Sequence, residues 1–294
     1  YSEYYGTIKE SGIGLACEEA ARIILSENRP FSMETAACDE EYEPSSEYDS
    51  SFALQIFAAR EAVFKILAKE SLSIHEKLIV ILDMGSKIQQ CINTDEYDNI
   101  KSVVNDYLKE GIAHTLDETR NLSDSGQFED ISLQQGIRQI LYPYEEMEVL
   151  NPEWEVILKD IIDSLFEQMS DEEYNILNEE FGTYMVSRAY EYRQLLEYLV
   201  FRYFAKSIYD YDFLGKCQML VTNFFVIRQM DIIRWLDNHR EYSFKDRMDV
   251  VHIFSRQVEY SEDNIENLYE DFIFDDIFKT DSLIAILWID SENI

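Results

Sequence analysis

Six ionisable side chains at helical spacing carry most of the chemistry this sequence can offer. Over residues 212 to 239, Arg228 and Asp231 fall on a stripe shared with Cys217, Val221, Phe224 and Trp235. Their flanks, Phe225, Val226, Ile227, Ile232 and Ile233, are apolar, so this helix should be central and the two charges buried together. Such a placement makes either a structural ion pair or an anchor for a polar ligand group. Over 243 to 259, Val250, Val251, Phe254 and Val258 form a core face, and Asp249, His252, Arg256 and Glu259 form the opposite stripe. That line of acid, imidazole, guanidinium and acid could bind a cationic or amide group and hold His252 near neutrality for proton transfer. It also suits a solvated face with Arg256 and Glu259 paired at i,i+3.

A seventh candidate is Cys17, in "KESGIGLACEEAARIIL" (9 to 25). Glu10, Gly12, Gly14 and Ala16 approximate a cofactor-binding E-x-G-x-G-x-G loop, and the thiol sits where a helix dipole favours thiolate. A nucleotide-type loop needs strand–loop–helix units repeated into a parallel sheet, and no strands of that kind follow. The glycines therefore read as a tight turn before a helix, and Cys17 as a small residue at a helix start or a reactive or metal-binding thiol. His75-Glu76 begins an H-E-x-x-H pattern, but Ile79 stands where zinc needs its second histidine. Neither G-x-S-x-G nor G-x-x-x-x-G-K occurs.

The elements that must position these residues are helices. With 9 Gly and 4 Pro in 294 residues, few tight turns are available, which favours long regular segments. We expect an all-α, irregular multi-helix bundle with a buried central helix near 212–239. Residues 1–48 form an N-terminal stub and acidic connector, and 49–294 the helical domain. Phe52, Ile56, Ala59, Val63 and Leu67 share one helix face over 50 to 70. Ser73 with Glu76 and Ser170 with Glu173 make capping boxes, and Asn151-Pro152 gives an N-cap followed by proline at the first helical position. Helices are expected over 17–26, 73–91, 97–109, 130–141, 152–169, 212–239, 243–259, 261–272 and 281–288. A long one from Ser170 to Tyr209 bends near Gly182, and "NLSDSGQ" (121 to 127) is a surface loop.

Acids outnumber bases 59 to 25, a net charge of −34, and no run of bases occurs, which argues against nucleic acid and anionic membranes and for a basic partner. Cysteines at 17, 38, 91 and 217 are too scattered for C-x-x-C spacing and read as reduced thiols of a cytoplasmic protein. No apolar run is long enough to span a membrane, and no signal-peptide pattern is present. Tyr1 in place of an initiating methionine suggests part of a longer protein.

Three stretches, "EYYGTIKESGIGLACEEAARIILSE" (3 to 27), "YLVFRYFAKSIYDYDFLGKCQMLVTNFFVIRQMDIIRWLD" (198 to 237) and "DRMDVVHIFSRQVEYSEDNIENL" (246 to 268), resemble the C-terminal part of bacterial flagellin lysine-N-methylases. The resemblance implies a helical, substrate-holding part of a protein-lysine N-methyltransferase, with flagellin or another lysine-bearing protein as partner. It further implies S-adenosylmethionine as methyl donor and an iron–sulphur cluster in a cysteine-rich region upstream. Cys17 would match the last cysteine of that region and be a cluster ligand. The chain by itself would then be inactive. Glu18 and Tyr260 depart from the family pattern, where proline and histidine are usual. A non-catalytic acidic helical module binding a basic protein is the alternative.

Overall fold

The computed structural model describes residues 1–34, 36–37, 49–124 and 131–292. An antiparallel hairpin of β1 (Ser2–Tyr5) and β2 (Ile8–Ser11) precedes α1 (Glu18–Ser26). Next come α2 (Ser50–Leu67), α3 (Ile74–Asn93), α4 (Ile100–Asp106) and α5 (Ile112–Asp124), with a π-helical turn, Tyr107–Gly111, between the last two. After α6 (Leu133–Glu145), α7 (Pro152–Ile161) runs into a second π-helical turn, Ile162–Glu167. The chain continues through α8 (Asp171–Met185), α9 (Ala189–Tyr203), α10 (Ser207–Asp210) and α11 (Phe213–Asp237). It ends in α12 (Phe244–Phe254), a third π-helical turn (Ser255–Glu259), α13 (Glu262–Phe274) and α14 (Thr280–Glu292). The fold is all-α, with a two-stranded sheet as the only sheet among the described residues.

Local signals act as expected where they are strong. Ser73 and Ser170 close capping boxes with Glu76 and Glu173, and Asn151 caps α7 ahead of Pro152. Phe52, Ile56, Ala59, Val63 and Leu67 are all buried, each apolar side chain larger than alanine contributing about 1.5–3 kcal/mol. Several expectations need correction. The hairpin is new: Gly6, at φ 62°, supplies the left-handed residue that its two-residue turn requires. Helix α5 extends through Asp124, so the first part of the expected 121–127 loop is helical, and residues 125–130 lie outside those described. The long helix from Ser170 breaks into α8, α9 and α10 at 3₁₀ turns Val186–Arg188 and Phe204–Lys206, while Gly182 is an ordinary buried position inside α8. The expected boundary at residue 48, Cys38 and most of the acidic connector also fall outside the described residues.

Contacts divide the chain into two compact units. The first takes residues 1–13, 24–118 and 190–220. Its core joins the inner face of α2 to Leu78 through Leu82 of α3, all buried, and to Phe204 and Phe213. Gly85 of α3 lets Cys217 approach so closely that an added Cβ would stand 2.5 Å from its Sγ. The hairpin is fastened here by charge. Arg60 makes two hydrogen bonds to Glu10, at 2.7 and 2.5 Å, and Arg202 bonds Glu3 at 2.8 Å.

The second unit takes residues 14–23, 119–189 and 221–294. Helix α11 is buried at every position from Gly215 to Ile233, and its residues from Val221 onward run through this core. Ile137, Tyr144, Trp154, Phe181 and Trp288 are buried in the same unit, Tyr144 bonding Thr222 at 3.0 Å and Phe181 lying 5.5 Å from Trp235. Gly136 of α6 admits Ile286 of α14, whose Cδ1 would stand 2.9 Å from an added Cβ. Among the described residues no helix is long and apolar enough to cross a membrane.

Candidate functional site

The polar residues of α11 sit in a core that denies them water, so each must find a partner from another helix. Arg228 and Asp231 are both buried, yet they do not pair with each other. Arg228 donates through Nε and Nη2 to Asn178 Oδ1, at 3.2 and 3.0 Å, and faces Asp290 at 3.8 Å. Asn178 Nδ2 in turn donates to Asp290, and the guanidinium lies 5.6 Å from the centre of the Phe181 ring. Three residues on, Asp231 accepts a 2.6 Å bond from Arg247 Nη1 and another from the Tyr242 hydroxyl. Both members of that ion pair are buried, at 1% and 0% exposure. Residues three apart on a helix are separated by about 60° of arc, enough for α8 and α14 to claim one charge and α12 the other.

Helix α12 is placed for this by its own N-terminus. Ser243 caps it, its hydroxyl accepting from Asp246 N while Asp246 accepts from Ser243 N at 2.7 Å. That fixes the direction in which Arg247, one residue later, enters the core. The linker before it is held by Tyr184, whose hydroxyl accepts from Tyr242 N at 2.9 Å, and by Arg188, which donates to Tyr242 O at 2.6 Å. Nearby, Gln229 accepts from the Tyr174 hydroxyl at 2.9 Å, and burial pushes that phenol far above its usual range.

The stripe expected from Asp249 to Glu259 is broken. Asp249 and His252 lie half-buried on α12, but Arg256 and Glu259 belong to the π-helical turn. A π turn holds about 4.4 residues instead of 3.6, so positions three apart swing away from one another. That winding takes Arg256 and Glu259 off the regular i,i+3 alignment, and it leaves Arg256 exposed and Glu259 half-buried. The same winding turns Ser255 and Gln257 inward. Gln257 accepts from Leu150 N (2.9 Å) and Asn151 N (3.2 Å) and donates to Glu148 O at 2.7 Å. His252 Nδ1 is buried with no hydrogen-bond partner, as is Ser255 Oγ. His252 Nδ1 therefore makes no hydrogen bond to an acid or a nucleophile.

Cys17 is exposed and precedes α1, its carbonyl accepting the first helical bond from Ala21 N at 3.0 Å; it is an N-cap rather than a first-turn residue. Cys91 and Cys217 are buried, and burial raises both thiols. Among the described residues no three His, Cys, Asp or Glu side chains gather where they could hold a metal, so these residues do not by themselves build an iron–sulphur site. Gly12 has a packing role: its N–H bonds Tyr1 O at 3.1 Å, and an added Cβ would meet the Tyr1 hydroxyl at 2.7 Å. Beside the hairpin, a cleft of about 530 Å³ is lined by Glu3, Tyr4, Tyr5, Lys206, Tyr209 and Asp210, among others. Its acids are already engaged, Glu3 with Arg202 and Lys206 and Asp210 with Lys216.

The residues missed at the sequence level are Asn178, Tyr242, Arg247 and Asp290. Their one signal was indirect: two charges on a helix with apolar flanks require opposite partners somewhere, without saying where. Among known families, the one described as the FliB lysine N-methylase C-terminal domain matches residues 60–286. No curated protein and no solved structure matches.

Proposed function

This chain belongs to the FliB lysine N-methylase family, and from that premise we propose that it is the helical part of a protein-lysine N-methyltransferase that holds a lysine-bearing protein, flagellin, in the cytoplasm. The observation that carries the holding role is the outer side of α13. Glu262, Asp263, Glu266 and Glu270 are exposed there, together with Ile273 (74%) and Phe274 (77%). At 3.6 residues per turn these six occupy roughly one third of the helix circumference. Exposed Asp275 and Asp276 follow directly. Burial and the crowding of Asp275 and Glu270 push the Asp271 carboxyl above its usual range, so an approaching cation relieves repulsion. An acidic strip with apolar side chains at its end complements a basic segment that carries an apolar anchor.

A lysine amine accepts a methyl group only when neutral, whereas carboxylates beside it favour the ammonium. The α13 face therefore suits recruitment, and the transfer itself belongs elsewhere. Toward an iron–sulphur cluster the described residues offer Cys17 alone, which could serve as one ligand only with cysteines from outside them. S-adenosylmethionine and the cluster are accordingly assigned to a region other than these helices, and His252, Asp249, Arg256 and Glu259 receive no step.

The test uses the full-length protein reconstituted with iron and sulphide, with S-adenosylmethionine and flagellin, and reads methyl-lysine by mass spectrometry. Combined Glu262→Lys, Glu266→Lys and Glu270→Lys substitutions should raise KM for flagellin about tenfold or more while leaving kcat in place. An unchanged KM removes α13 from substrate holding. Flagellin binding that the triple variant abolishes, with no methyl-lysine formed by the wild type, selects the second reading, a non-catalytic acidic helical module for a basic partner.

A further inference from the structure

Within the first unit, the outer edge of β1 opens onto the cleft beside the hairpin. Tyr1 and Gly12 exchange both backbone bonds, Gly12 N to Tyr1 O at 3.1 Å and Tyr1 N to Gly12 O at 2.8 Å. In an antiparallel ladder such exchanging pairs alternate with non-bonded ones. With Ser2 opposite Ser11 and Tyr5 opposite Ile8, Glu3 and Tyr5 therefore bond β2, while Ser2 and Tyr4 aim their N–H and C=O away from it. What they face is marked by one of these groups: Tyr4 O accepts from the Tyr209 hydroxyl at 2.9 Å. Tyr209, Lys206 and Asp210 line the cleft of about 530 Å³ together with all four residues of β1. Among the described residues the sheet has no third strand, so the outward N–H and C=O of Ser2 meet no other strand. An open edge of this kind is a template for an added strand.

The charges of the cleft select what that strand carries. Glu3 is fully engaged, Oε1 by Arg202 at 2.8 Å and Oε2 by the Tyr5 hydroxyl at 2.5 Å. Lys206 stands 3.4 Å from the same Oε1, beyond the roughly 2.7–3.2 Å of an N–H···O bond, and its side chain is 38% exposed. Asp210 accepts from Lys216 Nζ at 2.7 Å and from Asp212 N at 3.0 Å. The acids are thus occupied, and what the cleft still offers is an ammonium with donors to give. Side chains alternate in face along a strand, so the residue of an added strand lying opposite Glu3 turns its side chain to the face where Arg202 and Lys206 stand. A carboxylate at that position takes Lys206 while Arg202 keeps Glu3, whereas a lysine there would add a third cation beside two.

We propose that β1 and α10 frame a docking cleft for an extended acidic segment of a partner protein, which adds as a third strand at Ser2 and gives one carboxylate to Lys206. Backbone pairing supplies the hold and the carboxylate supplies the selection. The site is independent of the lysine-methylation reading, since it draws on neither α13 nor Cys17.

The probe is the peptide acetyl-Thr-Val-Glu-Val-Thr-amide, titrated into the wild-type chain by calorimetry, with hydrogen exchange of the Ser2 amide read by NMR to locate it. Binding should be saturable and should slow exchange at Ser2. Replacing the peptide's glutamate by glutamine should weaken binding about tenfold, and lysine should weaken it further. Methylating the backbone nitrogens of both valines, which keeps the side chains and removes the pairing N–H groups, should abolish it. These comparisons need no variant to fold. Lys206→Met, which keeps the apolar stem, should bring the glutamate peptide to the level of the glutamine peptide and leave the latter unchanged. Ser2→Pro removes the outward N–H without touching the bonds of Glu3 and Tyr5 to β2, and should weaken both peptides. No saturable binding up to millimolar peptide overturns the site, as does a lysine peptide that protects Ser2 equally. Full binding of the N-methylated peptide, or an unchanged affinity of Lys206→Met for the glutamate peptide, overturns it too.

Discussion

Replacing Arg247 by methionine tests whether the second unit is organised around its buried charges. The substitution keeps much of the side-chain volume but leaves Asp231 without the guanidinium that bonds it at 2.6 Å, at a position with 0% exposure. The Tyr242 hydroxyl still donates to that carboxylate, but it brings no opposite charge. Removing one partner of a fully buried pair costs about 3–5 kcal/mol, because the other charge stays behind in a dry core. Against a typical stability of roughly 5–15 kcal/mol, this is a large fraction. At about 2–4 °C per kcal/mol for a unit of this size, the midpoint should fall by roughly 10 °C or more. Circular dichroism during heating and urea titration measures it. The decisive step is the double variant Arg247→Met with Asp231→Leu, which removes both charges and should recover most of the loss. A loss under about 1 kcal/mol, the range of a solvated pair, would refute the reasoning, as would a double variant no more stable than the single one.

Two further outcomes follow from the first unit. Gly85→Ala should cost about 1–3 kcal/mol by overpacking against Cys217, and adding Cys217→Ala should recover part of it; urea midpoints of the three variants decide. Burial, and then the hydrogen bond to Asp83, push the Tyr107 phenol up to about 12. The unfolded chain releases this proton near pH 10 while the folded chain keeps it, so stability is full below pH 10 and falls by about 2–3 kcal/mol as pH rises toward 12. Tyr107→Phe should flatten that segment of the stability profile in alkaline unfolding.

What was legible in the sequence is what depends on neighbours along the chain. The caps at Ser73, Asn151 and Ser170 act within three residues, and the α2 stripe repeats over five turns, so both survive without knowledge of the rest. The all-α class and the burial of α11 follow from the same local periodicity. The hairpin escaped notice because "SEYY" and "IKES" are four residues each and barely alternate. Its anchors, Arg60 and Arg202, lie 50 and 199 residues from the acids they hold. The site was half legible for the same reason. Arg228 and Asp231 were placed in the interior from helix angles, but their partners come from α8, α12 and α14, which periodicity cannot select. The π turn that carries Arg256 and Glu259 was not legible, because nothing in "HIFSRQVE" announces a wider turn.

Each wide turn amounts to one surplus residue in a helix, and the surplus is put to use. Carbonyls loosened by the winding are taken up by side chains from elsewhere: Leu165 O by Gln134 at 2.5 Å, and Gln257 O by Asn264 at 3.3 Å. Loss of a single codon between Ser255 and Glu259 would remove that surplus and restore ordinary winding. Carbonyls now met by side chains would return to bonds within the helix, and the inward turn of Gln257 that secures the backbone at 148–151 would be put at stake. That brace therefore hangs on one extra residue, and it can be lost with no amino acid replaced.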